Sequence, residues 1–394
     1  MKTQVFSGTS KGAAEIIKSG GLVAVPTETV YGLAGNGLNE QAVGMIYEVK
    51  GRPAIKPLSL MVHGSEAMDA LCLDVPEQAR TLAARFWPGP LTIVLKAKPE
   101  IPPIVLAGGS TVGLRCPDHP LTLELLRDCG LPLAAPSANP SGEESPKDAG
   151  KVLEYFDGKI DAVIDGGRCG LGRESTIIDM SKTPYRILRQ GALPAEDIAD
   201  ALVDGMQITG ITGGTGCGKT TALQELEAMG ALVLDCDAIY HELLESSAEL
   251  LGEIEKRFPD TVLDGKLDCK ALGAVVFEDS AALSDLNAIT HKYVGIELQR
   301  RLREFAMTGG ALAAIAVIDL CAGAQLHAGA ELDKPVLLRH GDRVRDSLAL
   351  GAGSVQKIHI AAAVVLNGDM LGGVYQVVAV LRLIKKLAFD LIHC

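Results

Sequence analysis

The sequence predicts two consecutive α/β domains, and three observations support this prediction. First, its 394 residues exceed the size at which one hydrophobic core is usual. Second, short apolar runs typical of buried strands alternate with segments of helical periodicity through the first half. Third, a new strand, glycine-rich turn, helix and strand begin at Met206. We therefore predict one domain over residues 1–205 and a second over residues 206–394.

Hydrophobic periodicity gives the individual elements of the first domain. The apolar runs predict strands at Leu22–Val25, Leu91–Leu95, Leu131–Ala135 and Thr176–Asp179. Helical spacing of apolar residues predicts helices at Ala42–Lys50, Glu77–Phe86 and Leu121–Cys129. Residues 194–205 are predicted to form a short helical linker, because Pro194 suits a first helical turn.

The second domain opens with a strand at Gln207–Thr212, a helix at Lys219–Met229 and a strand at Ala231–Asp235. A strand, a glycine loop, a helix and a further strand are typical of the start of a doubly wound parallel sheet.

Composition narrows the classes of function. The net charge of −12 argues against broad binding of nucleic acids or anionic membranes, so we expect no stable DNA binding. The nine cysteines are scattered without a CxxC pair, which indicates reduced thiols. Neither a signal peptide nor a membrane span is predicted, and we expect a cytoplasmic protein.

The glycine-rich turn after the Gln207–Thr212 strand fits the pattern G-x-x-x-x-G-K-[ST]. Its residues are Gly213, Gly214, Thr215, Gly216, Cys217, Gly218, Lys219 and Thr220. Glycines allow backbone N–H groups to surround the β-phosphate of ATP, and the next helix adds the positive end of its dipole. We predict that Lys219 bridges the β- and γ-phosphates as a catalytic residue and that the Thr220 hydroxyl ligates Mg²⁺.

A carboxylate follows the next strand, in Leu234-Asp235-Cys236-Asp237. The carboxyl ends of parallel strands host ligands, so Asp237 is the candidate base for a hydroxyl that attacks ATP. The alternative is that this acidic segment only caps a helix.

The loop pattern, the Leu234–Ile239 segment and Asp264-Gly265-Lys266-Leu267-Asp268 together resemble dephospho-CoA kinase, a P-loop NTPase-type fold. The resemblance implies phosphorylation of the ribose 3′-hydroxyl of dephospho-CoA by ATP, with Asp237 as base. The chain departs from the family over residues 318–360, where Arg339, Arg343 and Arg345 lie in a Gly/Ala-rich stretch instead of an arginine-rich lid.

In the first domain, polar groups follow several predicted strands. Taken singly, Lys50 and Arg52 suit a helix C-terminus, and Ser137 and Asn139 suit a turn. Taken together with Arg115 and Arg189, these side chains in an acidic chain predict an anion-binding cleft.

Several strings in this domain resemble the YrdC-like threonylcarbamoyl-AMP synthases. They are Pro26–Leu33, Lys50-Gly51-Arg52-Pro53, Trp87–Thr92, Pro136–Gly142 and Ser175–Asp179. The resemblance implies a twisted open α/β sheet and the condensation of L-threonine, bicarbonate and ATP to threonylcarbamoyl-adenylate and pyrophosphate. That product supplies the transferase machinery that modifies adenosine 37 of tRNA.

The resemblance also implies roles for individual residues. Lys50, Arg52 and Arg189 are expected to hold the triphosphate, and Ser137 and Asn139 are expected to contact the nucleotide. Thr27, Arg115 and Ser175 are expected to bind threonine, with Arg115 pairing bidentately with its carboxylate.

Two alternatives remain open on the sequence. The first domain could be an RNA-binding module that carries a regulatory, catalytically weak P-loop domain, although the acidic charge disfavours it. The second domain could also be a nucleotide-binding scaffold that has lost catalysis.

Overall fold

The computed structural model of the chain describes residues 2–211 and 219–316. These residues separate into two compact units. The first comprises residues up to Gly205 together with Met307–Gly309, and the second comprises the remaining described residues from Met206 onward.

The first unit is built on one large mixed sheet with helices between its strands. Its strands are β1 (Gln4–Ser7), β2 (Val23–Val25), β3 (Gly32–Asn36), β4 (Ser59–Met61), β5 (Cys72–Leu73), β6 (Leu91–Ala97), β7 (Thr111–Arg115), β8 (Leu133–Ala134), β9 (Ala162–Asp165), β10 (Thr176–Asp179) and β11 (Arg186–Arg189). Its helices are α1 (Ala13–Lys18), α2 (Glu40–Lys50), α3 (Ala67–Leu71), α4 (Glu77–Phe86), α5 (Pro103–Leu106), α6 (Pro120–Cys129), α7 (Ala149–Phe156) and α8 (Ala195–Asp204).

The strand order in this sheet is β1-β9-β2-β3-β8-β4-β7-β6-β10-β11, and β5 pairs with β6. Four neighbouring pairs are parallel, namely β1 with β9, β9 with β2, β4 with β7, and β6 with β10. The other pairs are antiparallel. The predicted α/β class is confirmed for this unit, and each predicted strand and helix is present with ends shifted by three residues at most.

Apolar side chains of α1 and α6 pack against β2, β8 and β9 to form a core. Its fully buried members include Ile17, Val23, Leu125, Leu133 and Ile164. Because α6 begins at Pro120, five residues after Arg115 ends β7, this packing also fixes where the chain leaves β7.

The predicted helical linker is a helix, but it is not a linker. Helix α8 buries Ile198 and Leu202, and Arg85 of α4 pairs with Asp204 at 3.3 Å. Its apolar face therefore makes α8 an integral part of the first unit, a role that the position of Pro194 alone could not reveal.

The second unit contains β12 (Gln207–Ile211), α9 (Lys219–Ala228), β13 (Leu232–Asp235), α10 (Cys236–Ser246), α11 (Ala248–Arg257), β14 (Val262–Leu263), β15 (Lys266–Leu267), α12 (Cys269–Val276), α13 (Ser280–Met307) and β16 (Leu312–Ala316). Strands β12, β16 and β13 form a parallel sheet in that order, so β16 lies between the two predicted strands.

A separate core joins α11, α12 and α13 of the second unit. It contains Leu250, Ile254, Phe258 and Leu272, with the β14–β15 hairpin packed against it. The two hairpin-turn residues Asp264 and Gly265 both have positive φ, 50° and 73°, which is the conformation that a two-residue turn of this kind requires.

We predict that Leu125→Ala lowers the free energy of unfolding of the first unit by about 2–5 kcal/mol, because Leu125 is fully buried in its core. Leu73→Ala, at a residue that is 43% exposed, should change it by no more than about 0.5 kcal/mol. The measurement is urea unfolding followed by the fluorescence of Trp87, the one tryptophan of the chain, which reports on this unit. Equal losses in the two variants would contradict the assignment of this core.

Candidate functional site

The loop that follows β2 turns two threonine hydroxyls into the interior. Thr27 and Thr29 are both fully buried, and their Oγ1 atoms lie 2.8 Å apart. Thr27 Oγ1 also donates to the carbonyl of Val30 at 2.6 Å and accepts from the N–H groups of Thr29 and Val30. The loop is thus closed on the Thr27 side chain, which explains why a threonine at this position is buried.

Arg115, the last residue of β7, lies beside this loop. Its Nη2 atom donates to Glu28 Oε1 at 2.8 Å and to Thr29 Oγ1 at 2.7 Å, and its Nε atom is 3.4 Å from the carbonyl oxygen of Gly89. The structure therefore brings together Thr27 and Arg115, both predicted to bind threonine, through the hydroxyl of Thr29.

These contacts change how Arg115 can bind a carboxylate. A guanidinium has five N–H groups, of which Nη2 carries two. Both N–H groups of Nη2 point at Glu28 and Thr29. A carboxylate could therefore bind Nη1 and Nη2 together only if one of these contacts broke. Nη1 makes no hydrogen bond within the part of the chain that the structure describes, so its N–H groups are the ones open to a ligand.

Ser175, at the start of β10, is the second buried hydroxyl of the predicted set. Its Oγ lies 2.8 Å from Thr92 Oγ1 of β6. Arg189, the last residue of β11, donates through Nη2 to the carbonyl of Ser175 at 2.8 Å and to its Oγ at 3.2 Å. Ser175 and Arg189 are therefore also brought together.

Gly191 makes this approach possible. A Cβ atom at Gly191 would lie 2.3 Å from the Glu174 carbonyl oxygen and from the Ser175 carbonyl carbon, which no side chain can satisfy. The N–H of Gly191 instead donates to Thr176 Oγ1 at 2.9 Å. Gly191, two residues after Arg189, thus allows the chain to pass directly over Ser175.

The two guanidinium groups of Arg115 and Arg189 affect each other electrostatically. Arg189 is exposed as a residue, but the environment of its guanidinium is partly buried. This burial lowers the pKa of Arg189, the carboxylate of Glu174 opposes the change, and the charge of Arg115 lowers the pKa further. Two like charges are therefore held close enough to repel.

Lys50, the last residue of α2, forms a second cationic centre. Gly51 follows it with φ of 57°, a left-handed conformation that ends the helix, and the side chain of Lys50 is buried. Lys50 Nζ donates to the carbonyl oxygens of Ser137 and Asn139. Burial, together with the nearby charge of Arg52, lowers the pKa of Lys50 to about 7.

The side chains of Arg52 and Ser137 take a less direct part in the site than the sequence predicts. Arg52 is bound within its own loop, where it donates to the carbonyls of Lys56 at 3.3 Å and Pro57 at 3.0 Å. Burial lowers the pKa of Arg52. For Ser137, the carbonyl oxygen rather than the hydroxyl is the group that meets Lys50.

Two buried side-chain atoms have no hydrogen-bond partner within the described residues, Asn139 Oδ1 and His119 Nδ1. The orientation of the Asn139 amide is fixed, because Nδ2 donates to the carbonyls of Pro140 and Glu143, each at 2.8 Å. Its oxygen Oδ1 is therefore an unpaired acceptor, and only a hydrogen-bond donor can satisfy it. An amine or hydroxyl of a ligand fits this requirement, whereas a phosphate oxygen does not.

Sequence reasoning did not identify Glu28, Thr29, Thr92 or His119 as residues of the site. Glu28 and Thr29 stand within the Pro26–Leu33 string, so the signal was present, but their partner Arg115 is more than 80 residues away. Thr92 stands at the end of the Trp87–Thr92 string, but it was assigned no role in the site from the sequence.

In the second unit, Asp235 and Asp237 have different roles. Asp235 caps α10, since its Oδ1 atom accepts from the N–H groups of Asp237 at 2.9 Å and Ala238 at 3.3 Å. Asp237 lies in the first turn of α10 and is half-buried. The capping alternative is thus realised by Asp235, which leaves the Asp237 carboxylate as the candidate base.

The predicted phosphate-binding residues Gly213, Gly214, Thr215, Gly216, Cys217 and Gly218 lie outside the described residues, as does the segment 318–360. Lys219 and Thr220 begin α9, and their side chains are also outside the described part. Over residues 2–211 and 219–316, no group of three His, Cys, Asp or Glu side chains is arranged to hold a metal ion. Within the same ranges, no helix has both the length and the apolar character needed to cross a bilayer.

Two family models match the chain, one for each unit. The Sua5/YciO/YrdC model, described as telomere recombination, matches residues 15–191. The CoaE model, described as dephospho-CoA kinase, matches residues 207–331.

Threonylcarbamoyl-AMP synthases are among the curated relatives. That of Pyrococcus abyssi is 49% identical over 186 residues, which cover 47% of this chain and 55% of the relative. That of Bacillus subtilis is 46% identical over 187 residues, or 47% and 54% of the two chains. The chain spans about half the length of these two relatives. The enzyme of Marinobacter nauticus is 34% identical over 169 residues, which cover 43% of this chain but 89% of the relative.

A solved structure of P. abyssi Sua5 complexed with L-threonine matches with a TM-score of 0.50 and 29% identity, covering 80% of this chain and 92% of that one. The buried hydroxyls and guanidiniums described above belong to the half of the chain that these proteins share. On this similarity, the chain belongs to the threonylcarbamoyl-AMP synthase family, with a region similar to dephospho-CoA kinase in its second half.

Proposed function

We propose that the first unit condenses L-threonine, bicarbonate and ATP to threonylcarbamoyl-adenylate and pyrophosphate. The observation that carries this proposal is that buried cations lie against oxygen atoms of the protein. Lys50 Nζ meets the carbonyls of Ser137 and Asn139, and Arg115 lies beside the buried hydroxyl of Thr29. Burying cations in one site is costly, and an anion that binds there offsets that cost. A triphosphate and a carboxylate are the anions that the reaction brings together.

The chemistry requires two bond-forming steps. The amine of threonine attacks bicarbonate, so that an N–C bond forms and water leaves. A carbamate oxygen then attacks the α-phosphorus of ATP, and the bond to the β-phosphate oxygen breaks to release pyrophosphate. Negative charge moves onto the β-phosphate, and Lys50, Arg52 and Arg189 are the residues that stabilise it.

The remaining polar groups position the substrates. Arg115 pairs with the carboxylate of threonine, and the hydroxyls of Thr27 and Ser175 supply the neighbouring hydrogen bonds. The unpaired Oδ1 atom of Asn139 accepts from an amine or hydroxyl of the nucleotide. Catalysis of this kind depends on orientation and charge stabilisation, so no dominant base is needed in the first unit.

We further propose that the second unit is a dephospho-CoA kinase. The ribose 3′-hydroxyl attacks the γ-phosphorus of ATP, ADP leaves, and Asp237 takes the hydroxyl proton. This proposal is supported by the match to the kinase family over residues 207–331 and by the parallel order of β12, β16 and β13. Mg²⁺ would enter with ATP, with the Thr220 hydroxyl as its proposed ligand, and would neutralise phosphate charge.

Pyrophosphate release from ATP should depend on both L-threonine and bicarbonate. Arg52→Ala should lower kcat/KM at least about 100-fold, because a cation beside the phosphates is lost. Lys219→Ala should leave this activity unchanged, since Lys219 belongs to the other unit. If Arg52→Ala releases pyrophosphate as fast as the unmodified protein, the proposed ATP site is wrong. If the unmodified protein binds tRNA but releases no pyrophosphate, the RNA-binding alternative is favoured.

The lowered pKa of Lys50 predicts that ATP binding to the first unit is coupled to proton uptake. With a pKa of about 7, Lys50 is mostly neutral at pH 8, and a bound triphosphate raises this pKa because it favours the ammonium form. Affinity should therefore fall as pH rises above 7, by up to about tenfold per unit.

Calorimetry at pH 8 in buffers of different ionisation enthalpy measures this uptake, in the Lys219→Ala background to silence the P-loop. About one proton should be taken up per ATP. Lys50→Arg, which stays charged, should take up none. Identical proton counts in the two proteins would refute the role of Lys50.

ADP formation should also depend on dephospho-CoA, and Asp237→Asn should lower its kcat at least about 100-fold, because proton transfer is lost. Asp260→Asn is the matched control, since Asp260 is exposed with φ of 65° and Asn tolerates that conformation. Absence of dephospho-CoA-dependent ADP in the unmodified protein would support the inactive-scaffold alternative.

A further inference from the structure

Glu28 links the loop after β2 to the connection between β7 and α6. Its Oε1 atom accepts from Arg115 Nη2 at 2.8 Å, and its Oε2 atom accepts from the N–H of Asp118 at 3.0 Å. Arg115 ends β7 and Asp118 lies in the connection to α6, so one carboxylate holds both ends of that connection.

This ion pair is shielded from solvent. The side chains of Arg115 and Glu28 are only 9% and 14% exposed. A shielded charge that loses its partner is strongly destabilised, and the surviving side chain then moves towards other partners or water. Arg115 therefore depends on Glu28 for its position as well as for its charge balance.

The pattern of donors indicates what Arg115 is positioned for. Glu28 and Thr29 occupy Nη2, and the Gly89 carbonyl faces Nε. Within residues 2–211 and 219–316, Nη1 has no hydrogen-bond partner among the contacts of Arg115, so its N–H groups are the free edge of the guanidinium.

We propose that Glu28 is a positioning residue for threonine binding: it holds Arg115 by Nη2 so that Nη1 meets the substrate carboxylate. This inference rests on the proposed synthase function of the first unit. It assigns Glu28 no contact with the substrate and no proton transfer.

The geometry makes Glu28→Gln a sharp test. Both partners of Glu28 are donors, so both of its side-chain oxygens must accept. A glutamine offers one oxygen and one NH₂ group, and in either orientation the NH₂ group faces a donor. Glu28→Gln therefore removes the ion pair with Arg115 in either orientation and sets an NH₂ group against Arg115 or the Asp118 N–H, while hardly changing the volume of the side chain.

The experiment measures pyrophosphate release and the KM values for L-threonine and ATP. For Glu28→Gln we expect the KM for L-threonine to rise at least about tenfold and the KM for ATP to change less than about twofold. The preference for L-threonine over L-threoninamide, which lacks the carboxylate charge, should also fall, because a displaced Arg115 no longer reads that charge. A purely structural role would not alter this preference.

Glu124→Gln is the matched control. Glu124 is half-buried on α6 and accepts one hydrogen bond from Ser10 Oγ at 2.6 Å, and its variant should keep all three kinetic values. Glu28→Asp keeps the charge but is one methylene too short to span both partners, so it should raise the KM for L-threonine by at least about threefold even if Glu28→Gln does not fold.

The experiment distinguishes a failure of the proposed synthase function from a failure of the positioning role of Glu28. If the unmodified protein releases no pyrophosphate with threonine and bicarbonate, the proposed function fails. If it does, and the Glu28 variants keep the threonine KM and the threoninamide discrimination, or raise the KM values for ATP and threonine equally, the positioning role of Glu28 is overturned.

Discussion

The burial of cationic side chains against oxygen atoms of the protein is the constraint on which the candidate site depends. The first unit holds Lys50 near Arg52 and Arg115 near Arg189, although the chain as a whole is acidic. Each pair is compensated locally by oxygen atoms: two backbone carbonyls receive the Lys50 ammonium, and Glu28 pairs with Arg115. The compensation is incomplete, and the remaining positive charge is what prepares the site for anions.

The scaffold maintains this arrangement by backbone conformation and close packing. Gly51 ends α2 directly after Lys50, and Gly191 allows β11 to return over Ser175. In the sheet, Met61 of β4 pairs with Arg115 of β7, which anchors the backbone of that arginine between two buried strands. Lys50, Arg115 and Arg189 therefore stand at the ends of a helix and two strands, so that little reorganisation of them is needed when substrates bind.

Local sequence patterns sufficed to predict the helices and strands of the first unit, because hydrophobic periodicity and helix caps involve residues only a few positions apart. The predicted helix Glu77–Phe86 is observed with the same ends, and the strand Thr176–Asp179 likewise. The pairing of Glu28 with Arg115 and that of Thr92 with Ser175 could not be predicted, since each joins residues more than 80 positions apart. The integration of α8 into the first unit escaped prediction for the same reason, because it depends on which surface Ile198 and Leu202 meet.

The proposed reactions make different demands on the protein, and the two units differ accordingly. Kinase chemistry needs a group that takes a proton from a hydroxyl, and Asp237 is available for this because Asp235 alone caps α10. Adenylation by a carbamate needs no such base, since the nucleophile is already an anion. Its difficulty lies in bringing two anions together, and an unpaired carboxylate of the protein in the same site would worsen this. Glu28 does not repel the substrates in this way, because both of its oxygens accept from donors of the protein, Arg115 and the Asp118 N–H. Its negative charge is therefore balanced within the protein.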